Sequence, residues 1–178
     1  MYNNDMCKVY VPSFHAKSIF DIEIDFYKKH GIKTVLSDLD NTLDSYKTRQ
    51  PSARVVSLKE MLEQNGIELF IISNNTGRRV EEYASALGVR YASSVGKPFA
   101  RKLIRKLNEA QIDRKQAVLI GDQTVTDIAS ANRAGILCIL TDKIVKEDQP
   151  TTHFNRLFDR PIRRHLKRRH LLKDWREE

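Results

Sequence analysis

Short apolar runs spaced along the chain constrain its fold more than any other feature of the sequence. The runs occupy residues 34–36, 69–72, 117–120 and 136–140, with a weaker fifth run at 89–92. Because polar residues do not alternate within them, the runs are typical of strands that are covered on both faces. Helix-like segments lie between the runs, at residues 52–64, 78–87, 98–110 and 125–134. The alternation predicts a doubly wound, parallel, five-stranded α/β sheet.

The two ends of the chain fall outside this alternation. The pattern of residues 13–30 predicts an N-terminal helix. A catalytic unit that includes this helix is expected to span residues 1–150. Residues 151–178 predict a basic, helical C-terminal extension. Apolar residues of the extension recur every four positions, at Phe154, Phe158, Ile162 and Leu166. Pro161 interrupts this stripe and disfavours a helical Arg160, so we expect a kinked helix whose first half packs on the catalytic unit.

Positive charge is concentrated in the extension. The whole chain has 31 Lys or Arg against 23 Asp or Glu, and residues 151–178 have nine against four. The stretch from Arg160 to Lys173 contains seven basic residues and no acidic one. Such a segment favours an anionic partner, either a lipid headgroup layer or RNA, and a solvated helix face is the alternative. Deletion of residues 160–178 is expected to weaken that contact and to spare turnover of small substrates.

Several classes of protein are disfavoured by what the sequence lacks. No apolar run approaches the ~20 residues that cross a bilayer, and the first residues lack the basic and apolar regions of a secretory signal. We therefore expect a cytoplasmic protein, with peripheral contact at the inner membrane surface as a further expectation. Cys7 and Cys138 have neither metal-site nor disulfide-framework spacing, and both are expected to be free thiols. The absence of a P-loop and of GxGxxG disfavours nucleotide-triphosphate and dinucleotide binding.

Polar side chains cluster just after the apolar runs, at the positions where open parallel sheets bind ligands. The clusters are DLDNTL at residues 38–43, SNNT at 73–76, GKP at 96–98 and GDQTVTD at 121–127. Each cluster alone has a structural explanation as a turn or a helix cap. Three acids from these clusters at one sheet edge would repel one another without a cation, and oxygen ligands of this kind suit Mg²⁺. Lys97 and Ser73 would then hold the other oxygens of a phosphate.

Taken together, the four clusters resemble the motifs of the haloacid dehalogenase (HAD) superfamily of phosphatases. The segment at residues 38–42 is similar to the DxDxT signature, and Ser73, Lys97 and residues 121–127 stand in the order of the other motifs. More narrowly, the chain resembles the capless, subclass IIIA YqeG family, which is similar to mitochondrial-type phosphatidylglycerophosphate phosphatases. The resemblance implies a HAD-like Rossmannoid fold and a Mg²⁺-dependent phosphomonoester hydrolase.

The resemblance also implies a role for each motif residue. Asp38 would be the nucleophile that forms an aspartyl-phosphate, and Asp40 would be the general acid and then the general base. Mg²⁺ would be held by the Asp38 carboxylate, the Asp40 backbone carbonyl and Asp122, with Asp127 beside it. The substrate-binding residues would be Thr42, Ser73, Asn74 and Lys97.

The intervals between the motifs are too short for a cap domain, so the site is expected to be open. An open site suits a bulky or surface-bound phosphorylated substrate, and phosphatidylglycerophosphate is the specific candidate that the resemblance suggests. The alternative function is an RNA- or ribosome-binding accessory protein that uses the basic extension and has a subordinate or vestigial phosphatase site. A phosphoacceptor signalling domain is disfavoured, because storage of a phosphoryl group would not require Asp40.

Overall fold

A six-stranded parallel sheet, in the order β1-β6-β5-β2-β3-β4, forms the centre of the computed structural model. The strands are β1 (Phe14–Ala16), β2 (Thr34–Asp38), β3 (Glu68–Ile72), β4 (Tyr91–Ala92), β5 (Ala117–Gly121) and β6 (Leu137–Thr141). The structure describes residues 8–75, 77–145 and 153–177, with only the backbone of residues 153–156. Cys7 and the side chain of Phe154 therefore lie outside the described residues.

Helices cover both faces of the sheet. They are α1 (Ile24–Lys29), α2 (Ala53–Gln64), α3 (Arg78–Leu87), α4 (Ala100–Glu109), α5 (Ala129–Ala134) and α6 (His153–Arg168). A π-helical turn, Thr124–Ile128, precedes α5, so the helix expected over residues 125–134 begins with wider turns than an α-helix. The prediction of a doubly wound α/β fold is confirmed, with six strands in place of five.

Alternate residues of the central strands enter two hydrophobic cores, one on each face of the sheet. Val35 of β2 belongs to the core that includes residues of α1, α2 and α3. Leu36, the next residue, belongs to the core that includes residues of α4 and α5. Because both faces are covered, neither face of a strand requires polar residues, which explains the continuous apolar runs.

The structure corrects the single helix expected over residues 13–30. This segment contains β1, a 3₁₀ turn at Ile19–Asp21 and α1. Phe14 pairs in parallel with Ile139 of β6, which makes β1 the sixth strand. A three-residue strand is too short for its alternation to be distinguished from a helical pattern.

Helix α6 runs through Pro161 without interruption, and the prediction of a non-helical Arg160 is wrong. Proline removes the donor that would otherwise bond to the carbonyl of Leu157. Leu157 is exposed, so water can satisfy that carbonyl. The expected apolar stripe is only partly packed, because Leu166 is buried whereas Phe158 is 55% exposed.

Beyond α6 the chain returns to the first core. The Trp175 ring is buried and packs edge-on against Phe26, with the ring centroids 6.0 Å apart. Deletion of residues 160–178 would remove both Trp175 and the buried Leu166, so this deletion is no longer expected to spare turnover. The division of the chain at residue 150 stays a prediction. Within the described part of the chain, no helix has the length and apolarity that a membrane span requires.

Candidate active site

Three acidic side chains meet at the carboxyl end of the sheet. Ser37 of β2 pairs with Ile120 of β5, so Asp38 and Asp122 leave neighbouring strands at the same edge. Asp127 comes from the π-helical turn that follows β5. All three carboxyl groups are buried, and each offers an oxygen within 4.8 Å of the others. The structure therefore brings together three carboxylates from two polar clusters, one after the run at residues 34–36 and one after the run at 117–120.

Lys97 lies among these acids. Its Nζ donates to Asp38 Oδ1 at 2.6 Å and to Asp127 Oδ1 at 2.7 Å, and its side chain is 3% exposed. When all three carboxylates are ionised, one ammonium group leaves an excess of two negative charges. A divalent cation would balance that charge, and the oxygen-only set of donors fits Mg²⁺.

The pKa values at this cluster are shifted by burial and by mutual charge. Burial raises the pKa of Asp38 well above its ordinary value, and Asp127 and Asp122 add to the rise against the opposing effect of Lys97. Burial alone would lower the pKa of Lys97, but the Asp127 and Asp38 carboxylates outweigh it and raise that pKa. Lys97 is therefore cationic at neutral pH, and a further cation would favour the ionised form of Asp38.

Gly121 allows Asp127 to reach the cluster. A Cβ at residue 121 would lie 2.3 Å from Asp127 Cγ, closer than real Cβ atoms approach other atoms. The backbone N–H of Gln123 donates to Asp127 Oδ2 at 3.0 Å and fixes the side chain from the other side. The position requires glycine because the Asp127 carboxyl group occupies the space of a side chain.

Asp40 lies at the edge of the cluster, where two donors orient its carboxyl group. Arg79 Nη1 pairs with Asp40 Oδ1, and Asn75 Nδ2 donates to Asp40 Oδ2 at 3.0 Å. Arg79 Nη2 also donates to the carbonyls of Ser45 and Thr48, which ties Asp40 to the loop after β2. Sequence analysis missed Arg79, because nothing in the sequence distinguishes it from the other arginines at helix starts.

The predicted substrate-binding residues have different surroundings. Asn74 Oδ1 accepts from the backbone N–H of Lys97 at 2.7 Å, and Asn74 Nδ2 donates to the carbonyl of Lys97 at 2.8 Å. Ser73 is buried, and its Oγ accepts from the backbone N–H of Asn75. Thr42 Oγ1 is buried with no hydrogen-bond partner among the described residues. The geometry thus makes Asn74 the residue that holds the Lys97 backbone in place.

Comparisons with known proteins find related phosphatases. The family described as mitochondrial PGP phosphatase matches residues 2–146. The protein named "Probable phosphatase YqeG" of Bacillus subtilis (strain 168) is 32% identical over 162 residues, which cover 91% of this chain and 94% of that protein. The chloroplastic/mitochondrial phosphatidylglycerophosphate phosphatase 1 of Arabidopsis thaliana is 22% identical over 149 residues, which cover 79% of this chain and 43% of that protein.

A solved structure shares the fold. It is the cobalt-bound deoxy-D-mannose-octulosonate 8-phosphate phosphatase of Haemophilus influenzae, which is 16% identical with a TM-score of 0.50. The alignment covers 65% of this chain and 81% of that one. At this identity the likeness supports the fold, and the chemistry of the site depends on the residues described above.

Proposed function

The chain belongs to the mitochondrial PGP phosphatase family of HAD-type phosphatases, and from this premise we propose that its reaction depends on Mg²⁺ and passes through an aspartyl-phosphate. The observation that carries the proposal is the buried set of Asp38, Asp122 and Asp127 around Lys97. A bound Mg²⁺ would supply positive charge to the phosphoryl oxygens and to the ionised nucleophile. Asp38, Asp122 and Asp127 would hold it, together with the backbone carbonyl of Asp40.

In the first half of the proposed reaction, an Asp38 carboxylate oxygen attacks phosphorus as the bond to the leaving oxygen breaks. Asp40 gives a proton to that oxygen, and Lys97 stabilises the charge on the phosphoryl group. In the second half, water attacks the phosphorus of the aspartyl-phosphate and Asp40 accepts the proton. The bond between Asp38 and phosphorus breaks, which releases inorganic phosphate and restores both carboxyl groups.

The neighbours of these groups have positioning roles in the proposal. Arg79 and Asn75 hold the Asp40 carboxyl group toward the leaving oxygen. Asn74 fixes the backbone of Lys97, from which the side chain extends to both acids. Thr42 and Ser73 are proposed to face the phosphoryl oxygens. Each of these contacts lowers the cost of organising the site for the transition state.

Removal of divalent metal is expected to abolish hydrolysis of an aryl phosphate, because the excess negative charge of the cluster would repel the phosphate. The measurement compares turnover by the purified protein in EDTA and after addition of excess Mg²⁺, with the melting temperature followed in parallel. Addition of Mg²⁺ is expected to restore turnover and to raise the melting temperature, because the ion binds the folded state. Unchanged turnover in EDTA would contradict the proposed mechanism.

A bulky, surface-bound substrate is the second part of the proposal. Among the described residues, the elements between the first and second motifs are α2 and β3, and those between Asn75 and Lys97 are α3 and β4. The described residues of these intervals contain no cap domain, and a large substrate would itself exclude water. The family description and the name of the Arabidopsis relative support phosphatidylglycerophosphate as the specific substrate.

The exposed face of α6 is proposed to contact the anionic membrane that carries this substrate. Leu157 and Phe158 are exposed in the first half of α6, and the cationic side chains of Arg160, Arg164 and Lys167 are exposed along the same helix. Apolar side chains next to basic ones suit the boundary between acyl chains and acidic headgroups. The reported relatives are named as phosphatases, and none of their names supports the RNA- or ribosome-binding alternative.

Charge reversal on α6 is expected to slow hydrolysis of phosphatidylglycerophosphate in anionic vesicles and to leave hydrolysis of a soluble aryl phosphate unchanged. The variant is Arg164→Glu with Lys167→Glu, and the matched control is Lys33→Glu with Lys115→Glu at exposed positions elsewhere. The reason is the loss of roughly 1 kcal/mol of membrane attraction per basic residue. Equal rates for both variants on vesicles, or binding of RNA in preference to vesicles, would contradict this contact.

A further inference from the structure

We propose that Asp159 and Arg163 of α6 are positioning residues that set the affinity of residues 122–127 for the divalent metal. The inference rests on the proposed function, because Asp122 and Asp127 at the two ends of this segment are two of the three acids in the cluster. The family match ends at residue 146, so both positioning residues lie beyond the matched part of the chain.

Asp159 takes the place of a helix cap for the π-helical turn. Its side chain is 2% exposed, and its Oδ1 accepts from both the backbone N–H and the Oγ1 of Thr124, each at 2.6 Å. Gln123, at the cap position of the turn, makes no side-chain capping bond. The first backbone donors of a helical turn need an acceptor. A residue 35 positions away in sequence therefore satisfies the turn that presents Asp127.

Arg163 holds the other end of the same segment. Its Nη2 donates to the backbone carbonyls of Asp122 and Thr141, each at 2.6 Å, and its Nε forms a 3.2 Å ion pair with Asp159 Oδ2. Nη1 donates to Asp142 Oδ1 at 3.2 Å. The guanidinium group thus joins the backbone of an acidic ligand to the end of β6 and to Asp159.

The position of these bonds indicates a role beyond the packing of α6. A buried acid paired with a largely buried arginine is a costly way to attach a helix, since apolar residues of similar volume often do so equally well. Here the pair bonds to the backbone of the two residues, Asp122 and Thr124, that set the direction of the acidic segment. Partners that orient metal ligands typically change metal affinity by about 10–100-fold when they are removed.

The test measures the dissociation constant for Mg²⁺ by calorimetry in the full-length protein, together with the rise in melting temperature on addition of Mg²⁺. The variants are Asp159→Ala, Asp159→Asn and Arg163→Met, with Arg105→Met on the exposed face of α4 as the control. Arg163→Met and Asp159→Ala are expected to weaken Mg²⁺ binding about 10–100-fold. Asp159→Asn keeps an acceptor for Thr124, so its affinity for Mg²⁺ is expected to fall less than that of Asp159→Ala. Saturating Mg²⁺ is expected to restore kcat in all three variants.

Two results would overturn the inference in distinguishable ways. If the variants melt at lower temperature in EDTA but bind Mg²⁺ as tightly as the wild-type protein, the pair is merely structural. If the wild-type protein itself binds no Mg²⁺, the proposed function fails and the inference fails with it. An Arg163→Met protein that does not fold would leave Asp159→Asn against Asp159→Ala as the deciding comparison, because these differ in the acceptor at the turn.

Discussion

Asp38→Asn is expected to abolish phosphatase activity, with a loss in kcat of roughly 10⁴-fold or more, as for removal of the nucleophile in other enzymes that use covalent catalysis. An asparagine oxygen can still accept the hydrogen bond that Lys97 Nζ donates to Asp38 Oδ1. The neutral amide lacks the charge that makes the carboxylate nucleophilic. The variant is therefore expected to keep the structure of the site but to be unable to form the aspartyl-phosphate. The measurement is single-turnover hydrolysis of an aryl phosphate with saturating Mg²⁺.

The same variant is expected to fold at least as well as the wild-type protein in EDTA. Burial and the neighbouring Asp127 and Asp122 carboxylates raise the pKa of Asp38, which means that the ionised form is disfavoured in the folded protein without metal. Replacement by a neutral group removes that penalty. Asp25→Asn in the exposed first turn of α1 is the matched control, for which both activity and stability should be unchanged. Near-normal turnover by folded Asp38→Asn protein would contradict the assignment of the nucleophile.

Lys97→Met is expected to be the most destabilising substitution at the site. The ammonium group is buried against Asp38 and Asp127, and removal of one partner from a buried ion pair typically costs about 3–5 kcal/mol in the free energy of unfolding. The variant should also lose roughly 10²–10³-fold in kcat, because a preorganised positive charge no longer faces the phosphoryl group.

Urea unfolding in EDTA at several pH values measures this effect. A carboxyl group whose pKa is raised in the folded state destabilises that state at higher pH and ceases to do so when it is protonated. In Lys97→Met the pKa of Asp38 should rise further, so the loss of stability should be smaller at mildly acidic pH than above neutrality. Lys115→Met, at an exposed position, is the control. Wild-type stability of Lys97→Met at alkaline pH would show that the ion pair is not formed in solution.

The fold and the acidic cluster were predictable because both depend on patterns that are local in sequence. A strand with helices on both faces presents apolar residues to both of them, and the continuous apolar runs predict β2, β3, β5 and β6. In a parallel sheet the carboxyl ends of adjacent strands meet at one edge, which explains why the sequence predicts that Asp38, Asp122 and Asp127 lie close together.

Contacts that join distant, ordinary residues could not be predicted. Arg79 and Asp40 are 39 positions apart, and Thr124 and Asp159 are 35 apart, so no spacing in the sequence indicates either pair. Asp44 illustrates the reverse problem, since it lies close to the first motif but accepts from Tyr83 and from the backbone of Ser52 within the packed interior. Residue type and position in sequence do not distinguish such a structural acid from a catalytic one.

Trapping of the phosphorylated enzyme tests the account most directly. The protein is mixed with an excess of substrate and Mg²⁺, and the reaction is quenched in acid during turnover. The protein is then digested, and the masses of the peptides are measured by mass spectrometry. The account predicts a phosphoryl group on the peptide that contains Asp38, which is absent in EDTA and in Asp38→Asn. Sustained turnover with no phosphoryl group on that peptide, or with the group on another residue, would contradict it.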